Sequence, residues 1–132
     1  MNRNIEIMAA IIAAGVVVDK TEPNPANPGE GWRTEVLLQE AYAYIVGQLN
    51  DPGTYVEMCR KALVRVQNRP EIAALLQVAI FWGERLLPMD AEREQLLARM
   101  KVDLRTAISA LPNGPRKARC TALLDYHKGA FP

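Results

Sequence analysis

This 132-residue chain has only one histidine, one serine and two cysteines. Hydrolytic nucleophile chemistry needs a hydroxyl or thiol within hydrogen-bond reach of a base. The serine and thiol candidates are Ser109, Cys59 and Cys120, and the one imidazole base is His127. Cys120 and His127 fall on one helix face but about two turns apart, roughly 10 Å, whereas a thiolate–imidazole pair needs contact at about 3 Å. The same scarcity argues against a transition-metal site, because no two soft ligands have paired spacing. Two cysteines without a C-x-x-C spacing make no disulfide framework and read as reduced, buried thiols of a cytoplasmic protein. Glycine is sparse around Asn113-Gly114-Pro115, which lacks the Lys-Ser/Thr of a phosphate-binding loop and reads as a turn. The residues therefore predict no catalytic group, no cofactor and no metal, hence a non-enzyme.

Long hydrophobic runs are missing as well. The apolar stretch beginning at Ile7 ends at Val18, short of the ~18 residues a membrane crossing needs, so no membrane association is expected. Arg3 ahead of that stretch imitates a secretory leader, but Glu6 interrupts the basic region and Asp19-Lys20 follow where a small-x-small cleavage site belongs. Nor is one sign of charge in excess. The formal net charge is +1 and the pI about 7.8, below the strongly basic range of most nucleic-acid binders. The charge is uneven, however: residues 1–51 hold seven acids and three bases, and residues 90–132 five acids and eight bases. A dipole of this kind orients encounters with charged partners and says nothing about fold.

Proline is what the chain does have, and its placement is informative. Pro52, Pro70 and Pro88 recur at equal intervals, with apolar residues at helical spacing between them. Proline has no N–H to lose and a φ suited to the first helical turn, so Asp51-Pro52 reads as a capped helix start. Asn68-Arg69-Pro70-Glu71 repeats the arrangement, while Pro88 stops a helix and Asp90 caps the next. Residues 19–31 carry Pro23, Pro25 and Pro28 with two glycines and form the one long loop, which Trp32 directly after it is expected to pin to the body of the protein.

Periodicity supplies the rest. Residues 4–18 are apolar almost all round, with a small-residue surface around Ala9, Ala10, Ala13, Ala14 and Gly15, which predicts an inner helix or a self-association face. Val36, Leu37, Ala41, Tyr44, Ile45 and Leu49 form an amphipathic face, leaving Tyr42 off it and exposed. Residues 52–68 present Tyr55, Val56, Cys59, Ala62, Leu63 and Val66 inward and Lys61, Arg65 and Arg69 outward. Pro70 to Leu87 is the expected core helix. Leu97, Met100, Leu104, Ala107, Ile108 and Leu111 make one seam on a helix from Asp90, with Arg99 and Asp103 paired outside it. A last helix is expected over Arg116 to Lys128, forming a hairpin with its predecessor. The fold class is thus all-α, an irregular bundle of five or six helices in a single domain over 1–132, with the first helix and the 70–87 helix inside.

Function follows only by elimination. Little reactive chemistry and much apolar surface predict a non-enzymatic interaction protein of the inhibitor, immunity or assembly type, of the sort encoded by phages and mobile elements. It would bind another protein, and the nearly all-apolar helices also point to a homodimer. Tyr42 is the candidate interface anchor. The alternative is a helical nucleic-acid-binding module using basic clusters at 60–69 (Arg60, Lys61, Arg65, Arg69) and 116–119 (Arg116, Lys117, Arg119). The second cluster is the anomaly, because cations at a helix start oppose the helix dipole.

Overall fold

The structure is a computed structural model that describes residues 3–21, 33–126 and 130–132. Its regular elements are all helical: α1 (Arg3–Thr21), α2 (Arg33–Ala41) continuing into a π-helical segment (Tyr42–Gln48), α3 (Pro52–Val64), α4 (Pro70–Glu84), α5 (Ala91–Ser109) and α6 (Pro115–Leu124). The irregular all-α bundle is therefore the fold, with no strand among the described residues. The expected loop begins later than predicted, because Asp19, Lys20 and Thr21 continue α1. Residues 22–31 and Trp32 lie outside the described residues.

The proline starts occur as expected, with one difference that has a simple cause. Pro52 opens α3, and the Asp51 carboxylate accepts from the Thr54 amide at 3.2 Å and the Thr54 hydroxyl at 2.6 Å. Pro70 opens α4, yet its N-cap is Arg69 rather than Asn68. A residue before proline is pushed out of the helical region, so only the immediate neighbour of Pro70 can occupy the cap. Asp51 has that position in its own sequence; Asn68 stands one residue too early. Asp90 caps α5 by accepting from the Arg93 amide at 2.8 Å. Three helices end three or four residues sooner than predicted, α3 at Val64, α4 at Glu84 and α6 at Leu124, and His127 falls outside the described residues.

α4 is the central element, with ten of its fifteen residues buried. Ile72, Leu75 and Leu76 are fully enclosed, each worth about 1.5–3 kcal/mol relative to exposure. Gly83 permits a close α3–α4 crossing: a Cβ there would lie 2.6 Å from Val56 Cγ2 and 3.2 Å from Tyr55 Cδ1. Trp82 donates to the Leu123 carbonyl at 3.0 Å, and Tyr55 to the Leu38 carbonyl at 3.0 Å, so both buried polar tips are satisfied.

α1 is not an inner helix. Ile5, Ile12 and Val16 are buried, but Ile7 and Ile11 are 48% and 46% exposed. Gly15 faces α2, where an added Cβ would overlap Leu37 Cδ1, and five other helices cannot also surround the opposite side.

Tyr42 is not the exposed residue expected of an interface anchor. It is buried, stacking edge-on against Tyr55 with ring centroids 5.3 Å apart and tilted against Phe131 at 5.9 Å. The inward face of this stretch is Leu38, Ala41, Tyr42 and Ile45. π-Helical residues rotate less per step than α-helical ones, so the segment after Tyr42 slips in phase and carries Leu49 outward to 38% exposure. The turn closes at Asn50, whose φ of 53° is one asparagine tolerates. Beyond α6, Phe131 returns to the core between Tyr42 and Trp82.

Candidate protein-binding groove and the fate of the basic clusters

The apolar stripe of α5 is wider than one seam, and this leaves an open concavity along it. Leu97, Leu104 and Ile108 enter the core, as does Leu111 just beyond the helix. Leu96, Met100 and Ala107, beside them on the helix, instead face an open groove of about 730 Å³ between α3, α4 and α5. Met100 and Ala107, expected in the single seam, are half-buried and exposed respectively. Leu63 and Ile80 form the facing wall, and the Gln77 amide is a polar group within it. Leu96 remains 56% exposed. From Leu96 to Ala107 the groove runs about 16 Å at helical rise, enough for three turns of a guest helix.

One end of the groove is held by charge. Glu84 accepts from Arg60 at 2.7 Å, and Arg93 binds both the Glu84 carboxylate and its backbone carbonyl, the latter at 3.0 Å. Burial pushes the Glu84 carboxyl up, but the two guanidiniums outweigh it and hold the group below its ordinary value. α3, α4 and α5 are thereby tied together at the groove's rim. Arg99 and Asp103 also line it, and the expected ion pair between them is not among those found in the described residues.

The two basic clusters do not assemble into one cationic surface. Arg60 goes to Glu84, while Arg69 leaves α3 altogether and pairs with Glu71 at 2.6 Å. Lys61 and Arg65 stay exposed, Lys61 within 3.6 Å of Glu57. In the second cluster Lys117 caps the end of α5, donating to the Ser109 carbonyl at 2.9 Å and to Asn113 Oδ1 at 3.1 Å. Arg119 Nε donates at 2.6 Å to Glu35, whose carboxylate is 1% exposed. Arg116 is half-buried, and its charge helps, with that of Arg69, to hold Glu71 below its ordinary value against the upward push of burial. The cationic start of α6 thus answers the buried Glu35 carboxylate on α2 and the half-buried Glu71 carboxylate on α4. No local signal announced this, since Glu35 and Arg119 are 84 residues apart.

Both thiols are buried, and burial raises Cys59 and Cys120 to about 12, which leaves them protonated and unreactive at neutral pH. Among the described residues no group of three or more His, Cys, Asp or Glu side chains is placed to hold a metal ion, and no helix is long and apolar enough to cross a membrane. Comparison with protein-family models, with curated proteins and with solved structures found no match to this chain.

The groove residues Leu63, Ile80, Leu96 and Met100 were not singled out as a site by sequence reasoning. The available signal was the Leu96-Leu97 pair with Met100, which gives α5 more apolar width than one buried seam uses.

Proposed function

We propose that this protein is a non-enzymatic interaction factor that receives an amphipathic helix of a partner protein in the α3–α4–α5 groove. The observation that carries the reading is the groove itself: Leu63, Ile80, Met100 and an exposed Leu96 line a concavity about three helical turns long, with charged side chains, among them Arg60, Glu84 and Arg93 at one end, interspersed with them. This is the arrangement by which helix-in-groove recognition works, with apolar anchors supplying affinity and polar groups supplying register. An inhibitor, immunity or assembly factor needs no more chemistry than this.

The test is to select helical peptides from a randomised library against the full chain and to map them by amide chemical-shift changes. Bound peptides are expected to perturb α3, α4 and α5. Leu96→Asp should weaken them at least about 10-fold, since a carboxylate would have to be desolvated against the guest's apolar face, while stability changes by under about 0.5 kcal/mol at so exposed a position. Peptides that map elsewhere, or that bind the variant equally well, refute the proposal.

A further inference from the structure

The outward side of α1 is a second surface, separate from the groove. Ile7, Ala10, Ile11 and Ala14 are all exposed, and their i, i+3, i+4, i+7 spacing makes one continuous stripe along the helix. Glu6, exposed, Ala10 and Ala13 follow the flank nearest α3 at the same kind of spacing. There Ala9, Ala10 and Ala13 meet Met58, Lys61 and Arg65 across a shallow α1–α3 groove of about 260 Å³. The flank therefore has an acid at one end and two exposed bases beside its alanines.

The stripe is complementary to itself. About a point midway between residues 10 and 11, Ile7 maps onto Ala14 and Ile11 onto Ala10. An antiparallel copy would set every isoleucine against an alanine, so the two helices could approach closely with large side chains filling the space above small ones. A parallel copy would set Ile7 on Ile7 and Ala14 on Ala14, producing a clash and a gap. Charge selects the same arrangement. The antiparallel register brings Glu6 of the second copy within about 3 Å, along the helix axis, of Ala13. That position is the edge of the α1–α3 groove bordered by Lys61 and Arg65, and the two-fold axis repeats the contact.

We propose that the exposed stripe of α1 is a homodimer interface, in which α1 packs antiparallel against α1 of a second copy and Glu6 of each chain meets Lys61 and Arg65 of the other. Such a contact is isologous and closes at two copies. With one helix and its flanks as the contact, the area falls at the low end of specific interfaces, below about 1,200 Å², the range of reversible, transient association.

Sedimentation velocity on the full chain, from micromolar to millimolar concentration, is expected to show a reversible monomer–dimer equilibrium. Ile11→Glu should return a monomer whose far-UV circular dichroism is unchanged. Single-cysteine variants fix the register independently of that substitution, because both native thiols are buried. Ala10→Cys lies beside the two-fold axis, about 1.5 Å from its mate along the helix, and should form an intermolecular disulfide under mild oxidation; Ala14→Cys, about 10 Å from its mate, should not. A monomer at millimolar concentration, a dimer indifferent to Ile11→Glu, or an Ala14→Cys that cross-links as readily as Ala10→Cys overturns the proposal.

Discussion

Replacing Arg119 separates the two meanings of the α6 basic cluster. The Glu35 carboxylate is 1% exposed and depends on Arg119, with only a longer 3.3 Å bond from Gln39 besides; its second oxygen has no hydrogen-bond partner among the described residues. Arg119→Met keeps much of the side-chain volume and leaves the buried charge unanswered. Breaking a buried pair in this way destabilises by about 3–5 kcal/mol. The Arg119 side chain is 37% exposed, so water enters part of the space, and the lower figure of about 2–3 kcal/mol applies. At this chain length that lowers Tm by roughly 6–15 °C. Glu35→Leu combined with Arg119→Met removes both charges and should recover most of the loss, giving a coupling of at least about 1 kcal/mol in a double-mutant cycle. Urea unfolding followed by circular dichroism measures all four proteins, and gel shifts at low salt on the same samples test the nucleic-acid alternative. Arg119→Met within about 0.5 kcal/mol of wild type, or a double variant as weak as the summed singles, would refute a structural role for the pair. Salt-sensitive retention of RNA or DNA that disappears with Arg119→Met would instead restore the nucleic-acid reading.

Two further perturbations test the packing and the charged rim. Gly83→Ala should destabilise by about 1–2 kcal/mol, because overpacking against Val56 and Tyr55 exceeds the roughly 1 kcal/mol that alanine gains in helix propensity; Gly47→Ala, with no atom within 4 Å of its added Cβ, should not destabilise, and equal losses at the two sites would contradict the α3–α4 contact. Glu71 and Glu84 both sit below their ordinary value of 4.5. Their contribution is therefore complete above that pH and lost as pH falls through the lowered folded values, so the urea midpoint should drop with acid. Glu84→Gln should flatten that drop; an unchanged acid slope would show that the Arg60–Glu84–Arg93 link contributes nothing.

What was legible in the sequence is what local chemistry controls. Proline and aspartate at 51–52 and aspartate at 90 mark helix starts through backbone geometry and capping alone, and the density of apolar residues from Ile72 to Trp82 leaves α4 no stable place except the centre. Features that depend on partners were not legible. Tyr42 and Tyr44 are both apolar enough to face inward, and the choice rests on the π-helical slip together with Tyr55 and Phe131 arriving from elsewhere in the chain. The purpose of Arg119 required knowing that Glu35 is buried. α1 illustrates the limit most directly: its composition suits burial all round, yet burial all round needs more neighbours than a chain this size provides. The groove escaped for the converse reason, since a stripe broader than the core requires looks, in one dimension, like a well-made seam.

The two proposed surfaces share α3 as a common wall, and this has a consequence for binding. Lys61 and Arg65 lie toward α1, whereas Arg60 and Leu63 lie toward α4 and α5, so occupancy of one surface does not block the other. A dimer formed through α1 would carry two grooves related by the two-fold axis. A partner that is itself dimeric would then be held at both sites, and its second contact becomes intramolecular, raising apparent affinity by about 10²–10⁴ without any new contact when the spacing matches. A monomeric helix peptide would gain nothing. Comparing a peptide with its tandem-linked form against wild type and Ile11→Glu distinguishes the cases: the tandem advantage should disappear in the variant while single-peptide affinity stays unchanged. If Ile11→Glu weakened the single peptide as well, the two faces would not be independent, and the separation by α3 on which this step rests would be wrong.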